Sequence, residues 1–189
     1  MTAGVRFGFT RWARLAAALV NTAPAPRHGD LLTAPEQLRD LLLAHDEPGT
    51  VRITPADLAD ARAGRTDLAA VFAATGDDAR LAARLNDLLG RTARPRLVDH
   101  PGGVPLHLHV EAPDANWGGW LTASGAMGLA LMIAEHGVEV IGVCAAADCP
   151  HGVLRVGPGP ARRFCDAACA NRTRVAAHRA ARRAPGGAT

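Results

Sequence analysis

A mainly α, α+β body with one β-hairpin, followed by a small cysteine-bearing finger, is the fold class this sequence predicts. Three observations carry it. Capping signals precede 3.6-residue apolar spacing several times in the first half, strict alternation takes over around a Pro-Gly-Gly turn, and all four cysteines lie in the last quarter. The length of 189 residues suits one domain of about 100 to 150 residues with a small appendage. A composition of 48% hydrophobic and 21% charged residues excludes a chain disordered throughout. No run of the roughly 18 to 20 apolar residues that cross a bilayer stands out, so no membrane partner is expected.

The elements follow in order. Trp12, Leu15, Ala16 and Leu19 fall on one helical face. Arg11 and Arg14 ahead of Leu15 to Val20 look like a secretory signal, but the apolar core is below the usual length of about 7 to 15 residues. A helix is the better reading, and with it a cytoplasmic, reducing setting in which cysteines are thiols unless metal-bound. Thr33-Ala-Pro-Glu36 reads as a capping box ahead of Leu38, Leu41, Leu42 and His45. Thr54-Pro-Ala-Asp57 repeats the device before Leu58, Ala61, Leu68 and Phe72. A break at Thr75 to Asp78 leads into a helix carrying Leu81, Leu85, Leu88 and Leu89.

From Arg96 to Glu111 the period changes to two, with a Pro-Gly-Gly turn after which Leu106, Leu108 and Val110 alternate with His107 and His109. That is a hairpin. The two histidines share one face of its second strand, where imidazoles two apart serve either as metal ligands or as plain polar surface. A last body helix spans about Asn116 to His136, with Trp117, Trp120, Leu121, Leu131 and Met132 inward. The two indoles read first as core, and alternatively as the lining of a small-ligand pocket. His100, His136 and His151 are expected to face solvent. Val138 to Val143 then runs extended to Cys144, which sets a division into residues 1–140 and 141–189.

Charge divides the chain at the same place. From Cys144 onward eight arginines stand against Asp148 and Asp166, a balance of +6, whereas the preceding part is −3. Every basic residue other than histidine is arginine. Cys144-x4-Cys149, a linker, and Cys165-x3-Cys169 offer two close thiol pairs, the second on one face of a helix. Four thiolates suit one tetrahedral Zn2+, and a segment this poor in large apolar residues needs such a staple to fold. Disulfides or two unrelated thiol pairs are the alternatives. Four sulfurs close the coordination sphere, which makes the metal structural rather than catalytic. A knuckle, a strand at Gly152 to Val156, a Gly157-Pro-Gly-Pro160 turn and a helix ended by Pro185-Gly-Gly187 would form a treble-clef-like or zinc-ribbon-like finger.

Cys144-x4-Cys149, Arg162-Arg-Phe-Cys165, Cys169-Ala-Asn-Arg172 and Val175-Ala-Ala-His-Arg179 resemble the CGNR zinc finger, whose pattern is a first cysteine pair, Arg-Arg-Trp-Cys, Cys-Gly-Asn-Arg and a basic helix. Leu19-Val-Asn-Thr22 and Asp30 to Leu38 are similar to the start of the ABATE domain that precedes this finger, in a family described as putative stress-induced transcription regulators. The resemblance implies a zinc-binding regulator of transcription acting on DNA or RNA. Ala170 and Phe164 depart mildly from the pattern. Gly157 to Pro160 departs more, standing where the family carries a polar Asp-Ser-Arg-Asn segment.

For nucleic-acid contact the candidates are Arg162, Arg163, Arg172, Arg174, Arg179, Arg182 and Arg183, as phosphate-neutralising groups. Asn171 and Arg172 serve either base edges or the bracing of the metal loops. Four thiolates and one Zn2+ contribute −2, which leaves the tail cationic at about +4. The body is left to sense a small ligand, contact a protein or form a homodimer, and the finger could instead be a scaffold for protein interaction. No nucleophile with a base, phosphate-cradling glycine loop or acid/base carboxylate pair occurs at informative spacing, so no enzyme is expected.

Overall fold

The computed structural model describes residues 8–47, 52–100, 104–156 and 161–183. The chain runs α1 (Phe9–Val20), α2 (Pro35–Leu43), α3 (Pro55–Phe72), α4 (Asp78–Thr92), β1 (Ala93–His100), β2 (Val104–Glu111), α5 (Trp117–His136), a 3-10 turn at Val138–Val140, β3 (Ile141–Val143), β4 (Gly152–Leu154) and α6 (Ala167–Arg183). The mainly helical body, the β1–β2 hairpin and the finger with its two-stranded sheet are those expected. The Pro-Gly-Gly turn, the Gly157 to Pro160 loop and the Pro185-Gly-Gly187 stop lie outside the described residues.

α5 is the central helix, with α1, α3 and α4 packed around it. It is apolar on all sides, and such a helix has to be enclosed. By length and composition alone its 20 residues could cross a membrane. This corrects the expectation that no such stretch exists. Here small residues let backbones meet instead: a Cβ on Gly128 would lie 2.6 Å from the Ala13 amide nitrogen of α1, and one on Gly118 would lie 2.6 Å from the Asp57 carbonyl of α3. The buried face therefore follows Leu121, Ala126, Leu129 and Met132, and Leu131 is only half-buried.

Local signals account for most element starts. Thr54 and Asp57 cap α3 reciprocally, Thr54 Oγ1 accepting from the Asp57 amide at 3.3 Å and Asp57 Oδ2 accepting from the Thr54 amide at 2.7 Å. The other Asp57 oxygen accepts from the Trp117 amide at 2.8 Å, so one buried carboxylate ties together the starts of α3 and α5. Burial opposes its ionisation, yet these donors outweigh burial and hold its pKa below the ordinary value. At α2 the expected box is displaced by one residue. The side chain that reaches back is Gln37, whose Oε1 accepts from the Thr33 and Ala34 amides, and Glu36 does not take part.

The Asn-Thr and Asp30 segments converge on a buried cation. Arg65 of α3 donates to both oxygens of Asp30, at 2.7 and 2.8 Å, and to Thr22 Oγ1 at 3.1 Å. Arg62 adds a further bond to Asp30 at 3.0 Å. The pairing with Arg65 holds the Asp30 carboxyl well below the usual range.

β3 and β4 form an antiparallel pair with Ile141 opposite Leu154. Both residues belong to the main core, Gly152 lies against the Phe72 ring, and Asn21 donates to the Gly152 carbonyl at 3.1 Å. The first half of the tail is thus built into the body. Sequence composition alone made the whole tail look dependent on metal, because it does not reveal that Phe72 and Asn21 lie against this hairpin.

Candidate metal centre and basic helix

Three elements bring the cysteines together. Cys144 follows β3 and Cys149 closes a tight knuckle in which Asp148 takes φ 60°. Cys165 precedes α6 and Cys169 sits in its first turn. The four Sγ atoms all lie within 4.8 Å of one another, with Cys149–Cys165 at 3.7 Å, Cys165–Cys169 at 3.6 Å and Cys149–Cys169 at 3.8 Å. A tetrahedron with Zn–S bonds of about 2.3 Å has edges of about 3.8 Å, so the spacing is that of a zinc tetrathiolate. It is far from the roughly 2.05 Å of a disulfide, and all four are free cysteines.

The electrostatics point to a cation as well. Burial and the neighbouring sulfurs push the Cys165 thiol far up, and burial pushes Cys169 up. At Cys144 burial also opposes ionisation, but amide donors from Ala146 and Cys165 outweigh it and bring the thiol down. Four neighbouring thiolates cannot coexist in a buried cluster without positive charge. A central dication supplies it. Cys144, Cys149, Cys165 and Cys169 thus form one site fitted to a single structural Zn2+, and a closed sulfur sphere leaves no position for substrate.

Around this centre the surrounding groups fix the loops. Asp166 starts α6, its Oδ1 accepting from the Cys169 amide at 2.7 Å, and its other oxygen pairs closely with Arg27 from the body. Arg172 donates to the Ala147 carbonyl at 3.3 Å and lies 3.8 Å from the Cys169 sulfur. Asn171, expected beside it as a brace, is exposed and has no hydrogen-bond partner among the described residues. The second position after Cys169 points outward on the helix, whereas the third returns over the knuckle.

His151 corrects another expectation. It is 2% exposed rather than solvent-facing, donating from Nε2 to the Ala23 carbonyl at 3.2 Å and stacking on His28. The sequence reading singled out neither Arg27 nor Asp166 for this site. Only Asp166 carried a local signal, a side-chain acceptor three residues before Cys169.

The arginines occupy the open side of the finger. Cys169 is the one buried residue of α6 among those described, and Arg174, Arg179, Arg182 and Arg183 are exposed along it. Arg172, Arg179 and Arg183 repeat at seven and four residues, which at about 100° per residue places them along one stripe, with Arg174 on the opposite side. Arg162 and Arg163 are exposed before the second cysteine pair, Arg163 lying 5.8 Å above the Phe164 ring. None of these seven arginines forms an ion pair among the described residues.

Trp117 and Trp120 are half-buried and packed against the main core, edge to face with each other at 5.5 Å. They line a cleft of about 580 Å³ together with His107, His109, Glu111 and Glu47. A second cleft of about 600 Å³, bordered by Arg14, Asn21, Arg155 and Arg162, lies between α1 and the finger.

A sulfur-bound metal centre closed by a two-stranded sheet and a basic helix defines a zinc-finger protein. Residues 141–183 match the CGNR zinc finger, and residues 13–143 match the ABATE family, described as a putative stress-induced transcription regulator. The chain belongs to the ABATE family and carries a CGNR zinc finger at its C-terminal end. No individual curated protein matches it.

Proposed function

We propose that this regulator binds nucleic acid through α6 and the Arg162–Arg163 approach to it, with zinc holding that surface in place. The observation that carries the reading is the free arginine surface. Arg162, Arg163, Arg174, Arg179, Arg182 and Arg183 are exposed and have no acidic partner among the described residues, although acids are plentiful in the body. A scaffold helix built only for protein contact would offer apolar anchors as well, and the large apolar side chain exposed on α6 is Val175 alone. Arg172, tied to Ala147 and Cys169, acts from within the finger. Asn171, exposed beside the stripe, would reach a base edge. The body would then sense a small ligand or a partner, and the cleft between α1 and the finger gives the two parts a shared surface.

Fluorescence anisotropy with duplex DNA and with single-stranded RNA, at low and physiological salt, tests this. Each phosphate contact contributes about 0.9 to the slope of log K against log salt for duplex DNA, so Arg179, Arg182 and Arg183 replaced together by Ala should flatten it by up to about 2.7. Absence of binding at either salt, or a slope that the triple substitution leaves unchanged, overturns the proposal.

A further inference from the structure

The hairpin holds a group of side chains that the finger's function leaves unused. His107 and His109 extend from the same face of β2, and their Nε2 atoms lie 3.1 Å apart. Behind them Glu111 is buried, and its Oε1 sits 2.6 Å from His109 Nδ1. An ionised carboxylate only accepts, so this contact keeps the His109 proton on Nδ1 and turns the lone pair of Nε2 outward, toward His107. Arg96 holds the same carboxylate oxygen at 3.1 Å, and the Val110 amide donates to the other at 3.1 Å, so Glu111 cannot swing away. A carboxylate fixing one imidazole while its far nitrogen faces a second imidazole is the arrangement by which proteins orient metal-binding histidines.

We infer that His107 and His109, with Glu111 orienting His109, form a second metal site for a divalent transition ion, at the wall of the tryptophan-lined cleft. The 3.1 Å contact is a hydrogen bond between the rings, His107 donating to the Nε2 lone pair of His109, and an ion that takes both nitrogens displaces that proton. Imidazole nitrogens suit Ni2+, Cu2+ and Zn2+, and Ni2+ serves as a probe that is told apart from the zinc of the finger. The chemistry separates the two centres of the molecule: four soft sulfurs for zinc in the finger, two imidazoles with open positions on the body. The remaining positions face the cleft beside Trp117 and Trp120, where water or an oxygen-bearing ligand completes the sphere.

The test uses the full chain without a polyhistidine tag, zinc-loaded, titrated with Ni2+ by calorimetry and followed by tryptophan fluorescence. Elemental analysis after gel filtration counts both metals. One Ni2+ per chain is expected beside an undiminished zinc content, with quenching of the indoles. His107→Gln and His109→Gln should each abolish the nickel and the quenching while leaving the zinc content and the melting curve unchanged. Glu111→Gln should weaken nickel binding by about 10- to 100-fold. Three outcomes would overturn the site: no bound nickel, nickel that persists in both histidine variants, or nickel that enters only by displacing zinc.

Discussion

Removing zinc should melt the molecule from a definable residue onward. The perturbation is chelation under reducing conditions, or Cys165→Ser, and the structure sets where the damage stops. β3 and β4 rest on the body through Ile141, Leu154 and the contact of Gly152 with Phe72, none of which depends on metal. Beyond Val156, which itself packs against the main core, the described apolar contacts reduce to Phe164 and Cys165 against Cys144, Ala146, Cys149, Val153 and Cys169. α6 is 17 residues long with one buried side chain, close to the length at which isolated helices are marginal in water. Structural zinc contributes about 10 to 16 kcal/mol to such sites, more than this segment can replace by packing. Loss of α6 should therefore remove about a fifth of the helical far-UV circular dichroism. Hydrogen exchange should show the Arg155 amide, bonded to the Val140 carbonyl, still protected. The amides of Ala145 and Cys169, bonded to Arg163 and Asp166, should exchange freely. Helicity that survives metal removal would refute the reasoning, and so would a cooperative collapse of the whole body.

Other expectations follow from the body. Asp30→Asn strips a buried arginine of its counter-charge, and urea denaturation should show a loss of about 3 to 5 kcal/mol. Because Arg65 lowers the pKa of Asp30, its stabilisation is complete above the ordinary carboxylate value of about 4 and fades as pH falls below it. Denaturation midpoints taken across that range should lose their acid dependence in part in the variant. Gly128→Val forces a side chain against the backbone of Ala13 and should cost about 1 to 3 kcal/mol by thermal melting. Gly90→Ala, at an exposed α4 position with nothing within 4 Å of the added carbon, should stabilise by about 0.5 to 1 kcal/mol. A melting temperature that moves the same way in both glycine variants would contradict the packing described.

Sequence alone determined the features set by local spacing. Thr54 with Asp57, the leucine rows of α3 and α4, the alternation through Val110 and the paired cysteines each express a preference that neighbouring residues satisfy among themselves. The cysteine spacing was legible for a related reason: tetrahedral coordination restricts how near together two ligands on one knuckle or one helical turn must be. Tertiary structure decided what depends on distant neighbours. The same 20-residue α5 passes for a membrane helix or a core helix until α1 and α3 are seen against its glycines. His151 looks like surface until Ala23 and His28 close over it, and Arg27 has no visible purpose until Asp166 arrives beside it. Composition could not show that β3 and β4 share the body's core, because burial belongs to pairs of segments far apart in the chain and is fixed only when both are in place.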